Sequence, residues 1–411
     1  MPAEQFYKTT LTNGIRILSE KVDSVHSVAL GLWVLAGSNH ETLETNGIAH
    51  MVEHMMFKGT RRRSAFRIAN EIESLGGIIN AFTSKNVTCY YLRLMSEHIG
   101  KGIDVLSDLM LNPLFKAEEL QREKGVITEE IREIEDTPSD IIHDYFTQDI
   151  FPDHPLGWSV QGTVESINGL TADQLFGFVK EHYTADRILV AAAGMVEHDY
   201  LVDLVQKALG DRHGGNGEAE LPQVGPVKKF QNVYPKPITQ SHLVIGRRIF
   251  PQSDSRRYVL AMLNVILSGG MSSRLFHNIR EKYGFVYAIY TFSDLYLTEG
   301  VFGVYAGMDP RKLDRVRELV FKELASLAEK TISKSELAKI REQFKGGMVL
   351  SLEGTQARMS RLAKMEIFEH NLMTIEQILQ IVEAITVADI QDLAQYIYDR
   401  DMFVETVVQP A

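Results

Sequence analysis

The chain holds a single cysteine, Cys89, in 411 residues. It cannot form an internal disulfide, so nothing in the composition points to an oxidising compartment. Its alternating setting, Val87-Thr88-Cys89-Tyr90-Tyr91, makes it a strand residue rather than a nucleophile. Long apolar runs are missing too. None approaches the roughly 20 residues that a membrane-crossing helix needs, so no membrane partner is expected. Basic charge is in deficit, with 43 Lys and Arg against 54 Asp and Glu, a net charge of −11. That balance argues against nucleic acid as the main partner, suits a soluble protein and would favour peptides carrying basic residues. The one basic run, Arg61-Arg62-Arg63, reads as a solvated loop. No signal or transit segment is recognised before the strand-like stretch from Phe6 to Leu11 and its turn at Asn13-Gly14, so the expected location is the cytoplasm.

What the sequence does contain is a motif, His50-Met51-Val52-Glu53-His54. On a helix, positions i and i+4 share a face, so both imidazoles can reach one metal ion. Glu53 beside them can take a proton from a water that the metal activates. The order is that of the H-x-x-E-H inverzincin motif, reversed from the zincins. Ile48, Ala49, Met51, Val52, Met55, Met56 and Phe57 make the segment apolar nearly all round, as in a buried helix. Three polar side chains buried there need partners.

A catalytic zinc takes three protein ligands and keeps a fourth position open. A second helix is expected over about Ala117 to Glu135, with Leu120, Ile127, Ile131 and Ile134 as its apolar stripe. At about 100° per residue, Glu123 and Glu130 fall within roughly 60° of Ile127. Glu129 points to the polar face with Arg122 and Arg132. The wheel therefore favours Glu130 and Glu123 over Glu129, although both could also sit wet at the rim of the stripe.

With these residues in hand, the chain resembles the pitrilysin-type inverzincin metallopeptidases. The resemblance rests on Asn46 to Thr60, on Asn80-Ala81-Phe82-Thr83-Ser84 and on Glu123 to Glu130, and runs from about Phe6 to about Thr406. The half-size processing-peptidase members, above all the catalytic β-type subunit and its bacterial relatives, are the most similar. In that family a ligand glutamate follows the motif after about 76 residues, which lands on Glu130. The resemblance implies one Zn2+ per chain on His50, His54 and Glu130, with Glu53 as general base and Glu123 in a supporting catalytic role off the metal. It implies that Asn80, Ala81 and Phe82 lie on an edge strand that pairs with an extended substrate backbone. It implies that Arg280 holds a substrate carbonyl while Tyr287 donates toward the oxyanion. The short Gly269-Gly270 lacks the long glycine-rich stretch associated with presequence capture.

Length and composition fit two or more domains, since 411 residues are too many for one core. The stretch 210–226, with five Gly and two Pro, reads as a linker. It separates an N-terminal zinc-binding domain, 1–209, from a C-terminal domain, 227–411, that lacks the motif but carries Arg280 and Tyr287. The halves repeat one another: Ser74 to Phe82 lines up with Glu281 to Ile289, and Ile72 with Ile279. After each come strand-like sequence, Val87 to Leu94 or Gly300 to Tyr305, and a long helix, Ile99 to Leu111 or Leu313 to Leu327. Each half reads as β-α-β-β-α with extra helices, an α+β fold of two homologous sheet-against-helices domains. The motif's counterpart in the second half, Leu267 to Leu275, has no H-x-x-E-H.

The expected activity is a zinc-dependent endopeptidase acting on peptides or unfolded segments in extended form. By the resemblance it works as a homodimer with composite active sites. A non-catalytic structural subunit of a larger complex and a metal-binding module without hydrolysis are the alternatives. The histidines outside the motif, among them His40, His154, His182 and His242, are expected at the surface.

Overall fold

The computed structural model describes residues 4–215, 221–227 and 230–411. Residues 216–220 of the expected linker lie outside the described residues, as do residues 1–3 and 228–229. Two sheets organise the chain. The first has six strands: β1 (Gln5–Thr10), β2 (Arg16–Lys21), β3 (Ser27–Val34), β4 (Ile78–Thr83), β5 (Thr88–Met95) and β6 (Ile188–Gly194), in the order β1-β2-β6-β3-β5-β4. The second has five: β7 (Phe230–Lys236), β8 (Ser241–Ile249), β9 (Val286–Leu295), β10 (Gly300–Met308) and β11 (Val404–Pro410), in the order β7-β11-β8-β10-β9.

These orders are one topology used twice. In the first sheet β2 pairs parallel with β6, and β6-β3-β5-β4 run antiparallel. In the second, β7 pairs parallel with β11, and β11-β8-β10-β9 run antiparallel. Among the described residues, only β1 has no counterpart. It is joined to β2 through Gly14, whose φ of +98° suits a residue without a Cβ. The central strands are apolar and β-rich, and β6 and β10 are buried along their whole length. That pattern belongs to strands covered on both faces.

The two covers of each sheet come from different parts of the chain. One compact unit comprises Met1–Arg132, Trp158–Pro222 and Ser351–Leu372, and the other Glu133–Gly157, Gln223–Leu350 and Met373–Ala411. One face of the first sheet packs against helices from its own half, including Ile48–Met56, Ala65–Glu73 and Ile99–Leu111. Its other face is crossed by Thr355–Lys364, from the far end of the chain. Reciprocally, Pro138–Ile150 packs on β8 and β11 of the second sheet. Both crossings pass over a strand glycine. A Cβ on Gly31 would stand 2.8 Å from the sulfur of Met359, and one on Gly246 2.5 Å from the ring of Phe146. Ion pairs tie the late helix down: Arg361 reaches Glu4 at 2.8 Å, and Arg358 bonds the buried Glu20. Asp149 anchors the early one through Asn232, Tyr234 and Thr406.

Two expectations about polar residues are corrected. Arg63 is not in a solvated loop; it is 4% exposed. Its guanidinium bonds Glu71 at 2.8 Å, Asp108 at 2.7 Å, and Asp104. A buried carboxylate such as Asp108 needs a fixed cation, and Arg offers enough donors to hold three at once. His154, His182 and His242 are buried rather than at the surface. His182 accepts from Arg187 at 2.8 Å, and burial pushes its pKa down to about 4. Cys89 lies buried in β5, where burial raises its thiol pKa, in keeping with a strand residue. No described helix is long and apolar enough to cross a membrane.

Candidate metal centre

The motif lies on the helix Ile48–Met56, which presents Ile48, Ala49, Met51, Val52, Met55 and Met56 to the core. That leaves His50, Glu53 and His54 on the remaining side, each half-buried. The second helix spans Ala117–Asp136 and buries Leu120, Glu123, Ile127 and Ile131. Glu130 Oε2 stands 3.9 Å from His50 Nε2 and 3.8 Å from His54 Nε2. Among the described residues, His50, His54 and Glu130 are the group whose donor atoms lie mutually close, all within 4.8 Å. Glu129 instead pairs with Arg132 at 2.6 Å and is 72% exposed.

These donors fit zinc. A tetrahedral ion about 2.1 Å from each donor needs donors about 3.4 Å apart, and Glu130 stands a few tenths wider than that from each histidine, at 3.9 and 3.8 Å. The histidine orientations fit as well. His54 Nδ1 faces Glu123 Oε2 at 3.1 Å, which directs the proton to Nδ1 and leaves Nε2 as the donor. Glu123 is buried, and Lys58 balances it with its ammonium 2.7 Å from Oε1. Lys58 has no signal in the sequence beyond lying one turn past His54. His50 is held differently. Its Nδ1 is buried without a hydrogen-bond partner, and burial, together with His54, lowers its pKa to about 4. The ring is thus neutral, the form that binds a metal.

Glu53 is set apart from this trio. Thr83, the last residue of β4, donates its hydroxyl to Glu53 Oε2 at 2.6 Å. Burial raises the Glu53 pKa, and Glu130 adds to the rise, while Thr83 and His54 oppose it. Thr83 was legible only as part of the Asn80 to Ser84 run. β4 is the terminal strand of its sheet. Asn80 is exposed, and its side-chain Oδ1 accepts from the Ala81 N–H at 2.8 Å. Phe82 is half-buried, its ring edge-on to Trp33.

Arg280 and Tyr287 belong to the second unit. Arg280 is exposed on a π-helical turn, Phe276–Glu281, with its guanidinium over the Phe276 ring. Tyr287 is 60% exposed on β9, again the terminal strand of its sheet. In the alignment of the halves it occupies the position of Asn80.

Comparison with known proteins shows the family. The family model described as Insulinase (Peptidase family M16) matches residues 16–164, and that described as Peptidase M16 inactive domain matches residues 169–344. A Bacillus subtilis protein named "Uncharacterized zinc protease YmxG" is 37% identical over 95% of both chains. A Streptomyces coelicolor protein named "Uncharacterized zinc protease SCO5738" is 36% identical over 96% of this chain and 87% of its own. A protease from Helicobacter pylori has the same fold, with a TM-score of 0.93 at 22% identity over 99% of this chain and 100% of its own. The chain belongs to the M16 family of insulinase-type peptidases, and is a zinc metallopeptidase.

Proposed function

We propose that the chain is an endopeptidase for peptides or unfolded segments, bound in extended form along β4. The observation that carries this reading is the Thr83–Glu53 hydrogen bond. It joins the proton-handling carboxylate to the end of the terminal strand, where an added substrate strand would bring its backbone. His50, His54 and Glu130 would hold the zinc, which when bound would supply Lewis acidity. Glu53 takes the water's proton on Oε1, because Oε2 is engaged by Thr83, and passes it to the leaving amine nitrogen. Glu123, backed by Lys58, keeps His54 in one tautomer and orientation. Asn80, Ala81 and Phe82 offer the strand edge, whose main-chain groups bind any sequence alike.

Arg280 would hold a substrate carbonyl and Tyr287 would donate to the oxyanion. The zinc-binding domain is taken as 1–209 and the second domain as 227–411. A homodimer, in the cytoplasm, would let Arg280 and Tyr287 of one copy complete the zinc site of the other. Complementation tests this. His50→Ala and Arg280→Ala variants are each expected to be nearly inactive, and to regain activity when mixed and allowed to exchange subunits. No recovery despite demonstrated exchange would place the pair in cis. A fluorogenic peptide assay with and without chelator tests hydrolysis itself. A zinc-loaded protein that cleaves nothing would favour the non-catalytic subunit.

A further inference from the structure

The helix that carries both histidines begins without a cap of its own. Its N-cap residue is Gly47, with φ +89° and no side chain to accept from the first turn. No larger residue fits: a Cβ there would stand 2.6 Å from the carbonyl of Gln161 and 2.7 Å from the Ile167 side chain. A helix start leaves several N–H groups unsatisfied, and burying them unpaired is costly. His50 is the third helical residue, so it lies within this uncapped first turn.

The missing acceptor comes from outside the helix. Glu41 is 6% exposed. Its Oε2 accepts from the Gly47 N–H at 2.8 Å, and its Oε1 from the Ala49 N–H at 2.9 Å. Asn46 Nδ2 adds a third bond to Oε2 at 2.9 Å. Asn46 is itself clamped, donating to the Ser159 carbonyl at 2.9 Å and accepting at its own carbonyl from Ser166 at 2.7 Å. Burial would drive the Glu41 carboxyl to stay protonated, and its pKa is raised to about 7 against the pull of these three bonds. A carboxylate placed at that cost, at the positive end of a short helix, is not explained by core packing.

We propose that Glu41 is a positioning residue for the metal centre. It substitutes for the absent N-cap side chain and fixes the first turn, so that His50 is held at the spacing its partner donors need. The inference rests on the zinc peptidase reading and adds a residue to it. His50 needs this help more than His54, since its Nδ1 has no partner to orient the ring.

The test is Glu41→Gln, which keeps the shape but turns one acceptor toward an N–H as a donor. Zinc affinity is measured by competition with a chromophoric chelator, and backbone N–H exchange is followed along the chain. We expect roughly tenfold weaker zinc binding, the scale of losing a partner that orients a ligand. Exchange should quicken at 47–50 and stay at parental rates in the sheet, with KM for a peptide unchanged at saturating zinc. Glu44→Gln, an exposed neighbour, serves as the control and should match the parent. If Glu41→Gln does not fold, the shorter Glu41→Asp carries the same readouts. Parental zinc affinity in the variant would overturn the positioning role and leave the peptidase reading standing. Weaker binding accompanied by faster exchange throughout the sheet would also overturn it, showing general loosening. A parent chain that binds no zinc would instead sink the zinc reading, and local exchange at 47–50 would still decide whether Glu41 caps the helix.

Discussion

The two sheets share strand order and direction from β2-β6-β3-β5-β4 to β7-β11-β8-β10-β9, yet among the described residues only the first sits beside a set of metal donors. In the first half the helix Ile48–Met56 carries His50, Glu53 and His54, each half-buried, on the side turned away from the core. In the second, the helix Arg257–Ser268 buries Leu260, Met262, Leu263, Ile266 and Leu267, and the stretch after it is Gly269-Gly270-Met271-Ser272-Ser273. The fold therefore does not depend on the metal. The second sheet has the same strand order without those donors, and in the reading proposed above the chemistry rests on three side chains of one helix and one of another.

The largest effect that would sharpen this contrast is Glu53→Gln. If Glu53 handles the proton, kcat should fall by about 10²–10⁴-fold. Zinc content by elemental analysis should stay at one per chain. Loss of zinc in this variant would mean that the separation of base from ligands is misdrawn.

Next is Arg63, whose buried network belongs to the first unit alone. Arg63→Ala leaves Asp108 buried without its guanidinium and should destabilise the protein by about 3–5 kcal/mol in chemical denaturation. Arg61→Ala, at an exposed neighbour, should change stability by no more than about 0.5 kcal/mol. Equal effects at both positions would break the distinction.

A smaller effect compares the two sheets directly, at the glycines under the crossing helices. Gly246→Ala would press on the Phe146 ring and on the Phe302 carbonyl, 2.6 Å away, and backbone cannot yield. Gly31→Ala meets the thioether of Met359, which can turn aside, although Trp33 Nε1 lies equally near. Overpacking of this kind typically costs about 1–3 kcal/mol, and we expect Gly246→Ala toward the upper end and Gly31→Ala toward the lower. Thermal unfolding of the two variants would test the order, and a reversed order would show the first crossing to be the stiffer one.

The smallest effect is at Glu129. With its carboxylate bonded to Arg132 at the surface, Glu129→Gln should leave zinc content and kcat near parental values. Metal loss in that variant would place the ligand one residue away from Glu130 and undo the geometry on which the contrast rests.

Much of this was legible in the sequence, for reasons that are local. Periodicity puts both histidines on one helix face, and the same arithmetic turns Glu130 inward and Glu129 outward. The repeat shows in Ile72 and Ile279, both fully buried, because equivalent core positions demand the same residue type. The strands and long helices follow from apolar patterning to within a few residues. What the sequence could not show depends on partners far along the chain. Arg63 looks like part of a solvated basic run until Asp104 and Asp108, more than forty positions on, close around it. Lys58 and Glu41 have roles only once Glu123 and the helix start are beside them. The covering helices show the limit most plainly. Pro138–Ile150 and Thr355–Lys364 each present an apolar face, but the hydrophobic effect is non-directional and either sheet offers apolar surface. Only the packed structure decides that each sheet takes its cover from the other half of the chain, through the close fit of Phe146 over Gly246 and Met359 over Gly31.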